Sequence, residues 1–273
     1  MIAVNAFSLS PAKIVLSVDP DDKQVFEIKI KNNENLSVTF KPVVVGVEQN
    51  QSGAPVFVSG LTPTESWISF DVKSFVLDPG QEKKIIFTLD VPDNTYPGSY
   101  YLGLGAEKIS GGKENVNLSS RVLSLVNIKV AGIVNEELKL EKWESINDVW
   151  FNSKWKFDLV FKNTGSVELP VSAKMILRNF RGREILEENI ATNIKIIPGT
   201  TRNIEHVFVL PKKFTFLPGI YQADLVLDYG LTKQNIFSVT KFWYFYPPLL
   251  FFVAIIIFLP VLFFLARKIF KRR

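Results

Sequence analysis

The sequence predicts an all-β protein, two tandem antiparallel β-sandwiches followed by one C-terminal transmembrane helix. Three observations carry this prediction. Apolar and polar residues alternate with a period of two through most of the chain before Phe242, between closely spaced turn residues, which is the signature of short half-buried strands. A long block of sequence occurs twice: "VLDPGQEKKIIFTLDVP" (76–92) and "YPGSYYLGL" (96–104) have counterparts in "KIIPGTTRNIEHVFVLP" (195–211) and "LPGIYQADL" (217–225). Finally, the stretch from Phe242 to Ala266 carries no charge.

A chain of 273 residues, 47% hydrophobic and 22% charged, is long enough for two domains with real cores. Its net charge of +5 has a single address, because Arg267, Lys268, Lys271, Arg272 and Arg273 close the sequence and the remaining basic residues balance the acidic ones. A nucleic-acid surface needs clustered cations to displace counterions, and none is visible before that tail, so nucleic acid is not a predicted partner. With no cysteine there are no disulfides, thiol nucleophiles or thiolate ligands, which leans toward a bacterial protein whose sandwiches stand on their cores alone.

Residues 1–6 are expected to be the remnant of a signal peptide. Val4 and Ala6 have the small-residue spacing of a cleavage site, yet "MIAVNAFSLSP" lacks both a basic n-region and an apolar h-region, which places the true start upstream. Were Met1 the true start, the C-terminal span would act as a tail anchor and leave the large domains in the cytoplasm.

The first sandwich is expected over residues 7–132. "KQVFEIKIKN" (23–32) sets Gln24, Phe26, Ile28 and Ile30 on one face and Val25, Glu27, Lys29 and Lys31 on the other. Pro79-Gly80 and Pro97-Gly98 are turns that launch strands, the first with Ile85, Phe87, Leu89 and Val91 pointing inward. "NVNLSSRVLSLVNIKVAG" (115–132) is expected to pair with "GSYYLGLGAEKIS" (98–110) through the "GGKEN" turn. The second sandwich, 133–241, opens alike: "SKWKFDLVFKNTG" (153–165) alternates Trp155, Phe157, Leu159 and Phe161 with polar residues and again ends in Lys-Asn. Pro198-Gly199 and Pro218-Gly219 repeat the turns. Tyr100 and Tyr221 each follow a Gly by two residues, the place of a corner tyrosine that packs and bonds back to nearby backbone. Trp143, Trp150 and Trp155 gather at the start of this domain and are candidates for packing between the domains.

Residues 242–266 suffice for a helix that crosses a bilayer. "FWYFY" supplies an aromatic belt with Trp243, Tyr244 and Tyr246, and residues 267–273, led by Arg267 and Lys268, form a basic cytoplasmic tail by the positive-inside tendency. The expected localisation is the bacterial cytoplasmic membrane, single-pass, with the domains extracytoplasmic and the C-terminus cytoplasmic.

"FSLSPAKIVLSVDPDDKQVFEIKIKNN" followed by "SWISFDVKSFVLDPGQEKKIIFTLDVPDNTYPGSYYLGLGAE" resembles the N-terminal domain of the WxL-interacting proteins of Gram-positive bacteria. The resemblance rests on a Ser-Pro opening, Trp67-Ile68, Pro79-Gly80 and the run from Pro97 to Tyr100. It implies two immunoglobulin-like domains and a C-terminal anchor, with the first domain binding peptidoglycan and the second a surface protein. The second domain departs from the family and is similar to a generic bacterial surface sandwich.

Chemistry is thinly represented. His206, the only histidine, lies in a strand pattern and reads as structural, and no Gly-x-Ser-x-Gly elbow accompanies it. Asp19, Asp21 and Asp22 in "VDPDD" lack the spacing of calcium loops and read as a solvated turn. No catalytic residue, metal site or cofactor is predicted, and the protein is not expected to be an enzyme. The ligand-binding candidates are Val56, Phe57 and Trp67, in the long polar stretch 46–67, where aromatic faces could stack on sugars. The resulting function is a membrane-anchored cell-surface binding or adhesion protein that holds peptidoglycan or another surface glycan and a protein partner. The alternative is a structural or chaperone-like subunit of a membrane complex that engages exported proteins by strand addition.

Overall fold

The computed structural model describes residues 7–60, 63–109, 120–145, 154–209, 219–244, 253, 255–261 and 267. The expected signal remnant, Trp150 and the "GGKEN" turn lie outside these residues. Among the described residues seventeen strands carry the fold: β1 (Phe7–Ser10), β2 (Lys13–Val18), β3 (Lys23–Asn32), β4 (Val38–Gln49), β5 (Pro55–Val58), β6 (Ile68–Phe70), β7 (Phe75–Leu77), β8 (Glu82–Asp90), β9 (Gly98–Lys108), β10 (Arg121–Val130), β11 (Leu138–Ser145), β12 (Lys154–Asn163), β13 (Leu169–Arg178), β14 (Glu184–Ile196), β15 (Thr201–Val209), β16 (Gly219–Tyr229) and β17 (Gln234–Tyr244). A 3-10 turn spans Pro63–Trp67.

The chain divides into two compact units. The first comprises residues up to Glu137 with Asn163–Leu169 and Ile196–Thr201; the second comprises Leu138–Lys162, Pro170–Lys195 and the residues from Arg202 onward. In the first unit one sheet has the order β1-β3-β8-β6 and the other β2-β10-β9-β4-β5, with β7 also paired to β4. The remaining strands form a three-stranded sheet β11-β12-β15 and a four-stranded sheet β14-β13-β16-β17. Two packed sheets with this order of connections, antiparallel in the first unit except where β2 runs parallel to β10, make each half an immunoglobulin-like sandwich.

The alternation read from the sequence sets the core. Ile28, Ile30, Ile85, Phe87 and Leu89 are fully buried between the sheets of the first unit, and their strands pair in register, Ile28 opposite Ile85. Trp155, Phe157, Leu159 and Phe161 are equally buried. The stretch 46–67 is more regular than expected, because Asn50 closes a hairpin between β4 and β5. Its side-chain oxygen accepts from Ala54 N at 2.9 Å, and its carbonyl accepts from Gly53 N at 2.8 Å, with Gly53 at φ 89. The "VDPDD" segment is a turn, with Asp21 at φ 65 and Asp22 N donating to Asp19 O at 3.2 Å.

Both Lys-Asn strand ends carry the same hydrogen-bonded knot. Asn32 is fully buried; its amide donates to Leu36 O at 2.8 Å and Leu77 O at 2.9 Å, and its Oδ1 accepts from Glu34 N at 2.9 Å. Asn163, equally buried, donates to Val167 O at 2.8 Å and Ile196 O at 2.9 Å and accepts from Gly165 N at 3.0 Å. The Pro-Gly turns dock onto the same residues: Gly80 N reaches Asn32 O and Gly199 N reaches Asn163 O, both at 2.9 Å. A Cβ on either glycine would meet nothing within 4 Å, so the left-handed φ of 76 and 77 is what calls for glycine there.

The expected transmembrane helix at 242–266 is corrected. Phe242, Trp243 and Tyr244 belong to β17, paired with Tyr221, Ile220 and Gly219, and Phe242 is only 7% exposed. Its ring centroid lies 4.7 Å from that of Trp155 and 5.5 Å from that of Phe157, inside an aromatic core that Tyr221 shares. Trp143 and Trp155, candidates for packing between domains, are core residues of this same unit, Trp143 stacked on Phe157 at 5.2 Å. Hydropathy cannot tell a bilayer from an aromatic core, and here the core takes the start of the run. Val253 and residues 255–261 are helical, but among the described residues no helix is long and apolar enough to cross a membrane. Among the described residues, the single-pass placement in a cytoplasmic membrane, with extracytoplasmic domains and a cytoplasmic tail, has no spanning helix to rest on. Residues 245–252, 254, 262–266 and 268–273 lie outside the described set.

Three stability outcomes follow. Asn32→Ala, which strands three backbone groups, is expected to cost about 3 kcal/mol in urea unfolding. Asn33→Ala, which removes one side-chain contact with Ser8 Oγ, should cost about 1 kcal/mol or less. Phe242→Ala is expected to cost about 3–5 kcal/mol in the same measurement, and an unchanged midpoint would remove Phe242 from the core.

Candidate interface at the open edge of the first sandwich

The first strand of the chain is interrupted by Pro11, which has no N–H to give to a ladder. β1 pairs antiparallel with β3 in one sheet; after the proline, β2 crosses to the other sheet and pairs parallel with β10, from Lys13 opposite Leu125 to Val18 opposite Val130. Because β2 begins only at Lys13, it covers only the second half of β10. On its other side β10 is paired with β9 along its whole length, from Arg121 opposite Glu107 to Val130 opposite Gly98. Four residues, Arg121 to Ser124, therefore have one strand neighbour instead of two among the described residues.

The phase of the ladder says which groups are open. Lys108 N donates to Ser120 O and Leu125 N donates to Ala12 O, both at 2.9 Å. Backbone groups alternate sides along a strand, so those of Val122 and Ser124 face β9, while those of Arg121 and Leu123 face outward. Ser124 is fully buried and its hydroxyl donates to Pro11 O, which closes the gap where the chain crosses between sheets. On the inner face Val122 packs with Leu9 and Ile14 against the core.

A rung of charge crosses the outer face at this end. Glu107 stands directly opposite Lys41 on β4 and opposite Arg121 on β10. Its carboxylate lies 3.5 Å from Lys41 Nζ and accepts from Arg121 Nε at 3.2 Å, and the residue is 9% exposed. Arg121 Nη1 also approaches Ser59 Oγ at 3.4 Å. The next residue along β9, Lys108, bonds both oxygens of Glu34 at 2.6 and 2.8 Å. The root of the β9–β10 hairpin is thus held on both faces of β9.

The sequence candidates fall elsewhere in the first unit. Val56 and Phe57 lie on β5, its far edge, both 39% exposed, and the Phe57 ring covers Gly103, where a Cβ would come within 2.5 Å of it. Trp67 ends the 3-10 turn and packs against the core, its ring centroid 4.9 Å from that of Tyr100. Tyr100 and Gly103 are three residues apart on β9 and so point to opposite faces, which keeps Phe57 and Trp67 from forming one surface. Tyr100 is the corner tyrosine expected, its hydroxyl donating to Tyr96 O at 2.7 Å, and burial pushes its phenol above the ordinary value. His206 lies against Phe208, ring centroids 4.3 Å apart, with Nε2 3.5 Å from Glu188 Oε1. Among the anchor candidates, Trp243 and Tyr244 are strand residues and Arg267 is an exposed helical residue; Tyr246 and Lys268 lie outside the described residues. The open edge itself had no sequence signal, since Arg121 to Ser124 read like any other strand.

No family model matches the chain, and no curated protein matches it. Several solved structures are similar to it over most of its length. One is a chaperone–tip adhesin complex of CFA/I fimbriae biogenesis, with 10% identity, a TM-score of 0.46, and coverage of 86% of this chain and 98% of that one. A second is the class 5 fimbriae chaperone CfaA, with 13% identity, a TM-score of 0.43 and coverage of 86% and 98%. A third is the CsuC–CsuE chaperone–tip adhesion subunit complex of Acinetobacter baumannii, with 13% identity, a TM-score of 0.39 and coverage of 73% and 90%. The resemblance to WxL-interacting proteins is overturned, because no family model matches the chain. Peptidoglycan binding, which that resemblance implied, falls with it; the quoted turns and strand openings are shared by sandwiches of many kinds.

Gly103→Ala is expected to dislodge the Phe57 ring and loosen β5, read as faster amide exchange at Val56 to Val58 with exchange in β8 unchanged.

Proposed function

We propose that this chain is a structural or chaperone-like subunit, non-enzymatic, that engages an exported surface protein by strand addition. The observation that carries this reading is the open half of β10, where Arg121 and Leu123 turn their main-chain groups away from β9 and, among the described residues, no strand lies beyond them. An exposed run of N–H and C=O groups is a template for another chain's strand, since backbone hydrogen bonds give affinity and side-chain pockets on alternate residues give selectivity. Val122, Leu9 and Ile14 sit where the incoming strand would place an apolar side chain. Partners of the adhesin kind follow by analogy with the chaperone–tip adhesin complexes, while the open edge is the support within this chain. The charged root of the hairpin suits the role too, because a template must be stiff before it is filled.

Proline substitution tests the edge directly. Leu123→Pro removes an outward donor and leaves the β9 ladder intact, whereas Val122→Pro removes a ladder bond. Leu123→Pro is therefore expected to keep its melting temperature within a few degrees and to lose capture of extended peptides of alternating apolar residues. Val122→Pro should lower the melting temperature. Peptide capture by Leu123→Pro equal to that of the unaltered protein would refute strand addition at β10.

A further inference from the structure

The rung Lys41–Glu107–Arg121 lies at the open end of β10, and its charges do not cancel. Two cations flank one carboxylate at directly opposed positions on three adjacent strands. Glu107 is 9% exposed, while the side chains of Lys41 and Arg121 are 48% and 41% exposed. Arg121 spends Nε on Glu107 and Nη1 on Ser59, and a guanidinium has five N–H donors. A strand added beyond β10 becomes the next neighbour of Arg121 and extends the rung by one position. The alternation plus, minus, plus then asks for minus, since opposite charges placed directly across a strand pair attract and like charges repel.

We infer that the open edge selects an extended segment that carries an acidic side chain on the outer face beside Arg121 and an apolar side chain, one residue along, on the inner face beside Val122. This rests on the strand-addition reading and adds the chemistry of the partner. The inner preference follows from burial against Leu9 and Ile14. The outer preference comes from the uncompensated cation of the rung, and it is a matter of selectivity, because the backbone bonds that supply affinity are the same for every sequence.

Two blocked nine-residue peptides test it, identical in alternating apolar and polar residues except for Glu against Gln at the central outward position. Binding to the full chain is measured by fluorescence anisotropy. The Glu peptide is expected to bind about tenfold more tightly at low salt, the size of one charge-assisted hydrogen bond. Raising salt from about 0.05 to about 0.5 M should erase most of that difference by screening. Arg121→Gln, checked for an unchanged melting temperature, should bind both peptides alike, while Lys84→Gln, the same charge change on the other sheet, should keep the preference. Equal binding of the two peptides by the unaltered protein, or a preference that survives Arg121→Gln, overturns the acidic selectivity and leaves strand addition standing. Capture of neither peptide overturns the strand-addition reading and this inference with it.

Discussion

Both sandwiches depend on one repeated device, a fully buried asparagine that ties three stretches of backbone together. Asn32 and Asn163 each end a strand whose alternate residues fill a core, and each uses its amide and its oxygen on three main-chain groups. No other side chain of that size offers two donors and an acceptor on one rigid plane. The Pro-Gly turns that follow are seated by the same residues through their backbone. The sequence repeat that runs through 76–92 and 195–211 is the visible trace of this knot, because the geometry that satisfies one asparagine satisfies the other.

From that anchoring the open edge follows. The asparagine ties the end of β3 to Leu77 of β7 and, through its backbone, to the turn that leads into β8; β3 has β1 as its other neighbour, and after Pro11, which has no N–H for a ladder, the chain begins again as β2 in the other sheet. The point at which β2 begins decides how much of β10 is covered. At the end of β10 that no strand covers among the described residues, Glu107 and Lys108 make ion pairs at the hairpin root, one on each face of β9. A sandwich arranged in this way leaves a short stretch of β10, Arg121 to Ser124, with a strand neighbour on one side only among the described residues.

The second unit has a different character. Its core is aromatic, with Trp155, Phe157, Phe208, Tyr221 and Phe242 packed mostly edge to face, an arrangement favoured by the ring quadrupole. Trp143 joins through Nε1, which donates to Ala223 O at 3.1 Å, so its polar atom is satisfied inside the core. Phe242 explains why this half misled a hydropathy reading: the last strand of the sandwich runs without a break in apolar character into the sequence beyond it.

Strand faces were legible in the sequence because burial in a sheet has a local period of two. Ile28, Ile30, Ile85, Phe87, Leu89 and the four apolar residues of β12 needed only their own neighbours to be assigned. The Pro-Gly turns and the corner role of Tyr100 were legible for the same reason, since turn chemistry is confined to a few consecutive residues. What tertiary structure decided was pairing: that β2 lies parallel to β10, that β2 stops short of Arg121, that Phe57 folds onto Gly103 while Trp67 packs on the other face, and that Phe242 meets Trp155. Each of these joins residues far apart in the chain, and a strand's sequence records which of its faces is apolar without recording which strand will lie along its edge.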